Sequence, residues 1–238
     1  MASKSGNGTN NHLLQSLPSR ELAAVLRSGE RIELTLRQLL YSPNEPISYV
    51  YFPEDGIVSL VSEMNDGSTI EIGTVGKEGM IGLPVFLGAG SSPLRAFAQV
   101  PGVAVRLKVA EFKRALNNGG VLRARLERYT QALFTQLSQS VACNRLHSVE
   151  QRCARWLLMT ADRVERKRFR LTQEFLTQML GVRRATVNSI VQEFQRQGMI
   201  DYEQGEMEIT NRHKLEAISC ECYGIIRNEY HKLAAIKS

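Results

Sequence analysis

The stretch GVRRATVNSIVQEFQRQG, residues 181–198, has a helical texture and is bracketed by glycines. Val187, Ile190, Val191 and Phe194 recur at steps of three or four, which makes one apolar face on a helix. Packing accounts for those four. It does not account for Arg183, Arg184, Thr186, Asn188 and Ser189 crowded at the entrance. The preceding LTQEFLTQML, residues 171–180, reads as another helix. Thr172 is its expected N-cap, Phe175, Leu176, Met179 and Leu180 are its packing side, and Gly181 is its stop. Helix, tight turn at glycine, helix is helix-turn-helix spacing.

Such a pair has a physical logic. One helix must enter a major groove about 12 Å wide while its back is buried against its neighbours. Its exposed first turn must offer donors to base edges and phosphates. A guanidinium can bond guanine O6 and N7 together, Thr186 can meet a phosphate or a thymine methyl, and the helix N-terminus attracts phosphate. Downstream, MIDYEQGEMEIT (199–210) reads as two short strands around Gln204-Gly205, in the place of a wing. Glu203, Glu206 and Glu208 would repel phosphate, so this hairpin is expected to be mainly structural. A last amphipathic segment is expected from Asn211 to the end.

Working upstream, residues 145–170 hold eight Arg or Lys against Glu150, Asp162 and Glu165. Ser148 and Gln151 have capping-box spacing, and Val149, Cys153, Trp156, Leu157 and Thr160 share a helix face. VERKRFR (164–170) reads as a charged loop. Before it, a long helical pattern from about Val109 is interrupted at Asn117–Gly120. Its second part carries a narrow apolar stripe of Leu122, Leu126, Tyr129, Leu133, Leu137 and Val141. The stripe fits either packing on its own domain or a parallel coiled-coil dimer interface, and the dimer is the expectation.

From Ile32 to about Lys108 the texture is that of strands. ISYVYF, GIVSLVSEM, STIEIGTV, MIGLPVFL, RAFAQV and VAVRLKV are short apolar runs set off largely by Gly or Pro, and Asn65-Asp66-Gly67 is a hairpin signal. These predict an antiparallel sandwich or barrel. LPSRELAAVLRSGERIEL (17–34) begins with a short helix, with Ser19 as its cap, Leu22, Val25 and Leu26 as its apolar face and Gly29 after its end. MASKSGNGTNNH, residues 1–12, reads as a disordered tail.

The chain has 238 residues, 43% hydrophobic and 23% charged, with a formal net charge of +6. This is globular composition, and the basic surplus permits nucleic-acid binding. No apolar run of membrane-spanning length and no signal-peptide stretch is seen, so a cytoplasmic location is expected. Four cysteines do not make a disulfide scaffold in a chain this long. Cys220 and Cys222 form a C-x-C pair between His213 and His231, which makes a metal site conceivable. Reduced thiols on a helix are the expectation, because the C-x-x-C pairs of zinc modules are missing. No Ser-His-Asp arrangement, P-loop, H-E-x-x-H or paired-carboxylate motif is found, so no enzyme is expected.

The run LTQEFLTQMLGVRRATVNSIVQEFQRQGMI (171–200) and the wing after it resemble the Crp/Fnr family of bacterial transcription regulators, as does the order of elements. DGSTIEIGTVGKEGMIGLPVFLG (66–88) looks like one branch of it. The resemblance implies an α+β chain: a tail (1–12), an N-terminal antiparallel β-roll of cyclic-nucleotide-binding type (13–116), a long dimerisation helix (117–146) and a C-terminal winged helix-turn-helix (147–238). It implies a cytoplasmic homodimer on double-stranded DNA with a palindromic operator, and RNA polymerase as a candidate partner. By position, Arg184 matches an arginine that contacts guanine and Thr186 a threonine that contacts phosphate. Thr172, Arg183, Asn188 and Ser189 complete the expected DNA-binding set. Ala185 and Ser189 stand where the cyclic-AMP-responsive members carry glutamate and a second arginine, so a different operator is implied.

The candidate effector pocket, by the same resemblance, is Gly82, Leu83, Pro84, Arg95 and Ala96. The family's nucleotide pocket uses a glutamate after the glycine and a hydroxyl after the arginine. Leu83 and Ala96 supply neither. Cyclic AMP is therefore not the expected effector, since an unpartnered buried polar group costs about 1–3 kcal/mol. No iron–sulfur cluster is expected, because the first cysteine is Cys143. No haem is expected, because His12 is the only histidine in the sensor half. A regulator that takes cyclic nucleotides in an atypical pocket and a nonspecific nucleoid-type binder are the alternatives.

Overall fold

The structure, a computed structural model, describes residues 8–118, 120–164 and 166–234. Residues 1–7 of the expected tail and residue 119 of the expected interruption lie outside the described residues. Residues 8–12 are not a tail. Asn11 is buried, its Nδ2 donates to the carbonyls of Pro53 and Gly79 (both 2.9 Å), and its Oδ1 caps helix α1 (His12–Gln15). One short amide anchors this segment by satisfying buried carbonyls that would otherwise be costly. In α2 (Ser19–Ser28) the cap position is Pro18, not Ser19, and no side chain caps the helix. Proline already holds the φ that a helix start requires.

The strand texture resolves into β1 (Glu30–Leu34), β2 (Leu39–Tyr41), β3 (Tyr49–Pro53), β4 (Ile57–Glu63) and β5 (Thr69–Val75). The run MIGLPVFL (80–87) is not a strand: Gly82 turns the chain at φ +91° and, with Pro84 in its first turn, a one-turn helix α3 (Leu83–Phe86) forms, followed by β6 (Arg95–Val100) and β7 (Gly102–Lys108). They form two antiparallel sheets, ordered β1-β7-β3 and β2-β6-β4-β5. The β4–β5 hairpin turns where Asn65-Asp66-Gly67 predicts, with Gly67 at φ +80° and the Asp66 carboxylate accepting from Ser68 N (2.9 Å).

Helix α4 (Val109–Asn118) leads into α5 (Gly120–Leu146). Here the expected dimer interface is corrected at four of its six residues. Leu122, Leu126, Tyr129 and Leu133 are buried in the protomer's own core, between 0% and 5% exposed, together with strand residues such as Val58, Val75 and Ala96. Tyr129 Oη donates to the Met80 carbonyl (3.2 Å), and its ring lies where a Cβ on Gly79 would stand, 2.5 Å away. Leu137 packs partly on the same core, and Val141 is 73% exposed. An apolar stripe reports that a face is covered but not by what, and here the β-roll supplies the cover.

The C-terminal part comprises α6 (Val149–Val164), β8 (Arg168–Arg170), α7 (Gln173–Leu180), α8 (Arg184–Arg196), β9 (Ile200–Glu203), β10 (Glu206–Ile209), α9 (Arg212–Ile218) and α10 (Glu221–Ala234). The capping box forms as read: Ser148 N donates to Gln151 Oε1 (3.0 Å) and Gln151 N to Ser148 Oγ (3.2 Å). The charged loop contains a strand, β8, which extends the wing into an antiparallel sheet ordered β8-β10-β9. The final segment is two helices, broken at Ser219-Cys220.

This half has its own apolar core, and it also docks on the β-roll. Phe175 of α7 meets Phe97 of β6 edge-on at 6.3 Å, Trp156 Nε1 donates to Glu71 (2.8 Å), and buried Arg163 pairs with Glu78 (2.6 Å).

Candidate nucleic-acid interface

Thr172 caps α7, its Oγ1 accepting from Phe175 N (3.2 Å). Gly181 ends α7 in the left-handed region at φ +63°, which only glycine enters without strain. The chain then turns into α8, whose cap position is Arg183 in extended backbone with no side-chain cap. The first backbone N–H groups of α8 are thus left without a side-chain cap, at the end of the helix that favours anions.

The inner face of α8 is buried as its spacing requires: Val187, Val191 and Phe194 are within the core, with Ile190 packed against it. Arg183, Arg184, Thr186 and Ser189 are exposed. Among the described residues, the side chains of Arg183 and Arg184 make no hydrogen bond or ion pair. Ser189 Oγ donates to the Ala185 carbonyl (3.1 Å), so its proton is engaged and its lone pairs are open. Asn188 departs from the expected set. It is only partly exposed, and its Oδ1 is buried without a partner, because it sits closer to the apolar edge of the helix. Thr172 is half-buried and committed to its cap.

The wing turns at Gln204-Gly205, both at positive φ (52° and 83°). Arg168 bridges its acidic strands, binding Glu208 (2.7 Å) and Asp201 (2.6 Å). Part of the negative charge that would repel a phosphate backbone is thereby neutralised within the protein.

Two residues of the candidate effector pocket, Arg95 and Ala96, point to opposite faces of β6. Leu83 and Ala96 are buried in the β-roll core. Arg95 is on the opposite face of its strand, because neighbouring strand residues point to opposite sides. It pairs with Glu63 (2.8 Å) and lines a cavity of about 350 Å³ between the roll and α7, with Arg37, Phe97, Phe175 and Met179. Glu71 lies on this docking face. Enclosure of its carboxyl raises its pKa to about 7, against hydrogen bonds from Ser59 and Trp156 that lower it. A larger cavity, about 380 Å³, opens between α6, α10 and the roll, lined by Arg163, Arg212, Arg227 and Tyr230 among others.

Four residues with metal-ligand chemistry also converge: Cys143, His147, Cys220 and Cys222. The two histidines that flank the C-x-C pair in sequence are not among them. His213 is exposed on α9, and His231 is far along α10. Cys143 and His147, four residues apart at the end of α5, come to the pair from some 75 residues away.

A β-roll joined through a long helix to a winged helix-turn-helix defines a two-part DNA-binding regulator. The model of the cyclic nucleotide-binding domain matches residues 31–118, and that of the Crp-like helix-turn-helix domain matches residues 151–218. The chain belongs to the Crp/Fnr family, and it is a DNA-binding transcription regulator of that type; the family is one of regulators, not enzymes. Among curated protein sequences none matches.

Solved structures with this fold include FixK2 from Bradyrhizobium japonicum, at 18% identity and TM-score 0.70, covering 81% of this chain and 98% of that one. A transcriptional regulator of the CRP family from Thermus thermophilus is 19% identical at TM-score 0.64, covering 79% and 96%. The c-di-GMP-responsive regulator CLP of Xanthomonas campestris is 16% identical at TM-score 0.59, covering 81% and 99%. At these identities the likeness is one of fold. No helix among the described residues is long and apolar enough to cross a membrane.

Proposed function

We propose that the chain acts as a homodimer that reads a palindromic DNA operator through the first turn of α8, and that cyclic AMP does not control it. The observation that carries the reading is the division of α8 into a buried back and an open cationic front. Val187, Val191 and Phe194 are within the core while Arg183 and Arg184 face outward. Arg184 is assigned to a base edge, and Arg183, Thr186 and the helix N-terminus to phosphates.

A different face of α5 supports the dimer. Ala124, Glu127, Gln131, Phe134, Ser138 and Val141 are exposed and recur at alternating steps of three and four, the seam spacing of a coiled coil. Phe134 is 64% exposed and Val141 73%, large apolar groups that a second copy would cover. Two readers related by two-fold symmetry then meet half-sites about 34 Å apart.

The reading against cyclic AMP rests on Leu83 in the core and Arg95 turned to the outer face, which leave a ribose and a cyclic phosphate without their partners. Calorimetry with cyclic AMP and cyclic GMP is expected to show no micromolar binding, and such binding would refute this part. The ratio of affinities for operator and random duplex, at fixed salt, is expected to be at least about 10³. A ratio near one would make the protein a nonspecific binder.

A further inference from the structure

We propose that Cys143, His147, Cys220 and Cys222 form a closed, structural site for one zinc ion, which ties the end of α5 to the start of α10. Their ligand atoms all lie within 4.8 Å of one another. Cys143 Sγ is 3.5 Å from Cys220 Sγ, and Cys222 Sγ is 3.7 Å from His147 Nδ1. The edges of a tetrahedron around zinc are about 3.8 Å between two thiolates and about 3.6 Å between thiolate and imidazole, given Zn–S near 2.3 Å and Zn–N near 2.0 Å. These two spacings are close to those edges. They are far longer than a disulfide bond, about 2.05 Å.

The surroundings suit a metal. The three cysteines are buried and pack on one another, apart from the two apolar cores. Thiols in an ordinary core would be dispersed among hydrocarbon. His147 turns Nδ1 to the thiols, and its Nε2 is 3.2 Å from the Glu221 carboxylate. That contact fixes the tautomer, leaves the Nδ1 lone pair facing the sulfurs, and is the usual outer partner of a metal-bound imidazole. Three thiolates and one zinc ion carry a net charge of −1. The buried Arg155 guanidinium lies beside Cys143 and offsets it. Four protein ligands leave no open position for a substrate, so the site is structural rather than catalytic.

The placement gives the ion a consequence. Cys143 and His147 end α5 just before the Ser148 cap of α6, and Cys220 and Cys222 begin α10, which packs on α5 and α6. Zinc here would hold the junction between the long helix and the DNA-binding half at one angle. Each zinc bound releases the protons of its three thiols to solvent, with no change of redox state.

The site does not depend on the DNA-binding reading, and its test reads metal alone. Full-length protein purified under reducing conditions is analysed by elemental mass spectrometry. About one zinc per chain is expected, with no iron. Stripped protein titrated with cobalt(II) should develop the visible bands of a tetrahedral cobalt–thiolate site, which zinc then abolishes. Cys222→Ser should lose metal and bands, and Cys222→His, which restores a ligand, should regain zinc. Cys153→Ser, at a buried cysteine of the helical core outside the cluster, should keep both. Zinc should raise the Tm and chelation should reverse the rise. Reduced wild-type protein that binds neither zinc nor cobalt, iron in place of zinc, or equal loss in Cys153→Ser would each overturn the site.

Discussion

Replacing Glu71 by glutamine tests how the DNA-binding half is seated on the β-roll. The Glu71 carboxyl accepts from Trp156 Nε1 (2.8 Å) of α6 and is 2.7 Å from Ser59 Oγ on the neighbouring strand. Ser59 Oγ is also 2.8 Å from Gln99 Oε1, and a hydroxyl has one proton to give. A proton on Glu71 lets both contacts form. Burial raises the Glu71 pKa from 4.5 to about 7, more than the hydrogen bonds and the nearby Arg155 and Arg163 lower it.

The sign follows from proton counting. Between pH 4.5 and about 7 the folded protein holds a proton that the unfolded chain has released. Glu71 therefore contributes its full stability below about pH 4.5, and the contribution declines as pH rises to about 7. The shift corresponds to at most about 3 kcal/mol. The residue as a whole is only partly covered, so about 1–3 kcal/mol is expected after screening. Glutamine keeps the acceptor for Trp156 and gives Ser59 a donor, with no charge to bury. Urea unfolding of both proteins should give similar stabilities at pH 5 and a gain of about 1–3 kcal/mol for Glu71→Gln at pH 8. A gap at pH 8 no larger than at pH 5, or a loss at pH 8, would refute the reasoning.

Neighbouring residues on α5 should behave oppositely. Leu133→Ala should cost about 2–5 kcal/mol of protomer stability, whereas Phe134→Asp should leave the fold within about 0.5 kcal/mol and weaken the dimer in sedimentation. Dissociation by Leu133→Ala alone would reverse the assignment of faces. Gly79→Ala should destabilise by about 1–3 kcal/mol in thermal unfolding, since its Cβ would fall 2.5 Å from the Tyr129 ring. Arg184→Ala should cost about 1–3 kcal/mol of operator affinity and relax one base pair per half-site. Equal weakening on every sequence would assign Arg184 to phosphate.

Most local signals were legible in this chain, the cap of α2 at Pro18 rather than Ser19 being an exception, and long-range partners were not. The Thr172 cap, the Ser148–Gln151 box, the Gly181 stop and the Asn-Asp-Gly hairpin depend on residues within a few positions, and each forms as read. Strand β8 escaped notice because Arg168, Phe169 and Arg170 look like a charged loop until β10 pairs with them. The stripe of Leu122, Leu126, Tyr129 and Leu133 was visible, but its cover was not, since the β-roll and a second copy both offer an apolar partner. The exposed seam through Phe134 and Val141 is interrupted by Glu127 and Gln131, which hid it. Arg95 and Ala96 share a motif but not a face. The cluster of Cys143, His147, Cys220 and Cys222 is assembled by the packing of α10 on α5, which no spacing along the chain announces.

In vitro selection of a random duplex pool by the purified wild-type protein tests the central claim most directly. The account predicts enrichment of a two-fold symmetric motif with half-site centres about 10 bp apart, one helical turn. A pool that stays unenriched, or one that yields a single asymmetric site bound by a monomer, would contradict it.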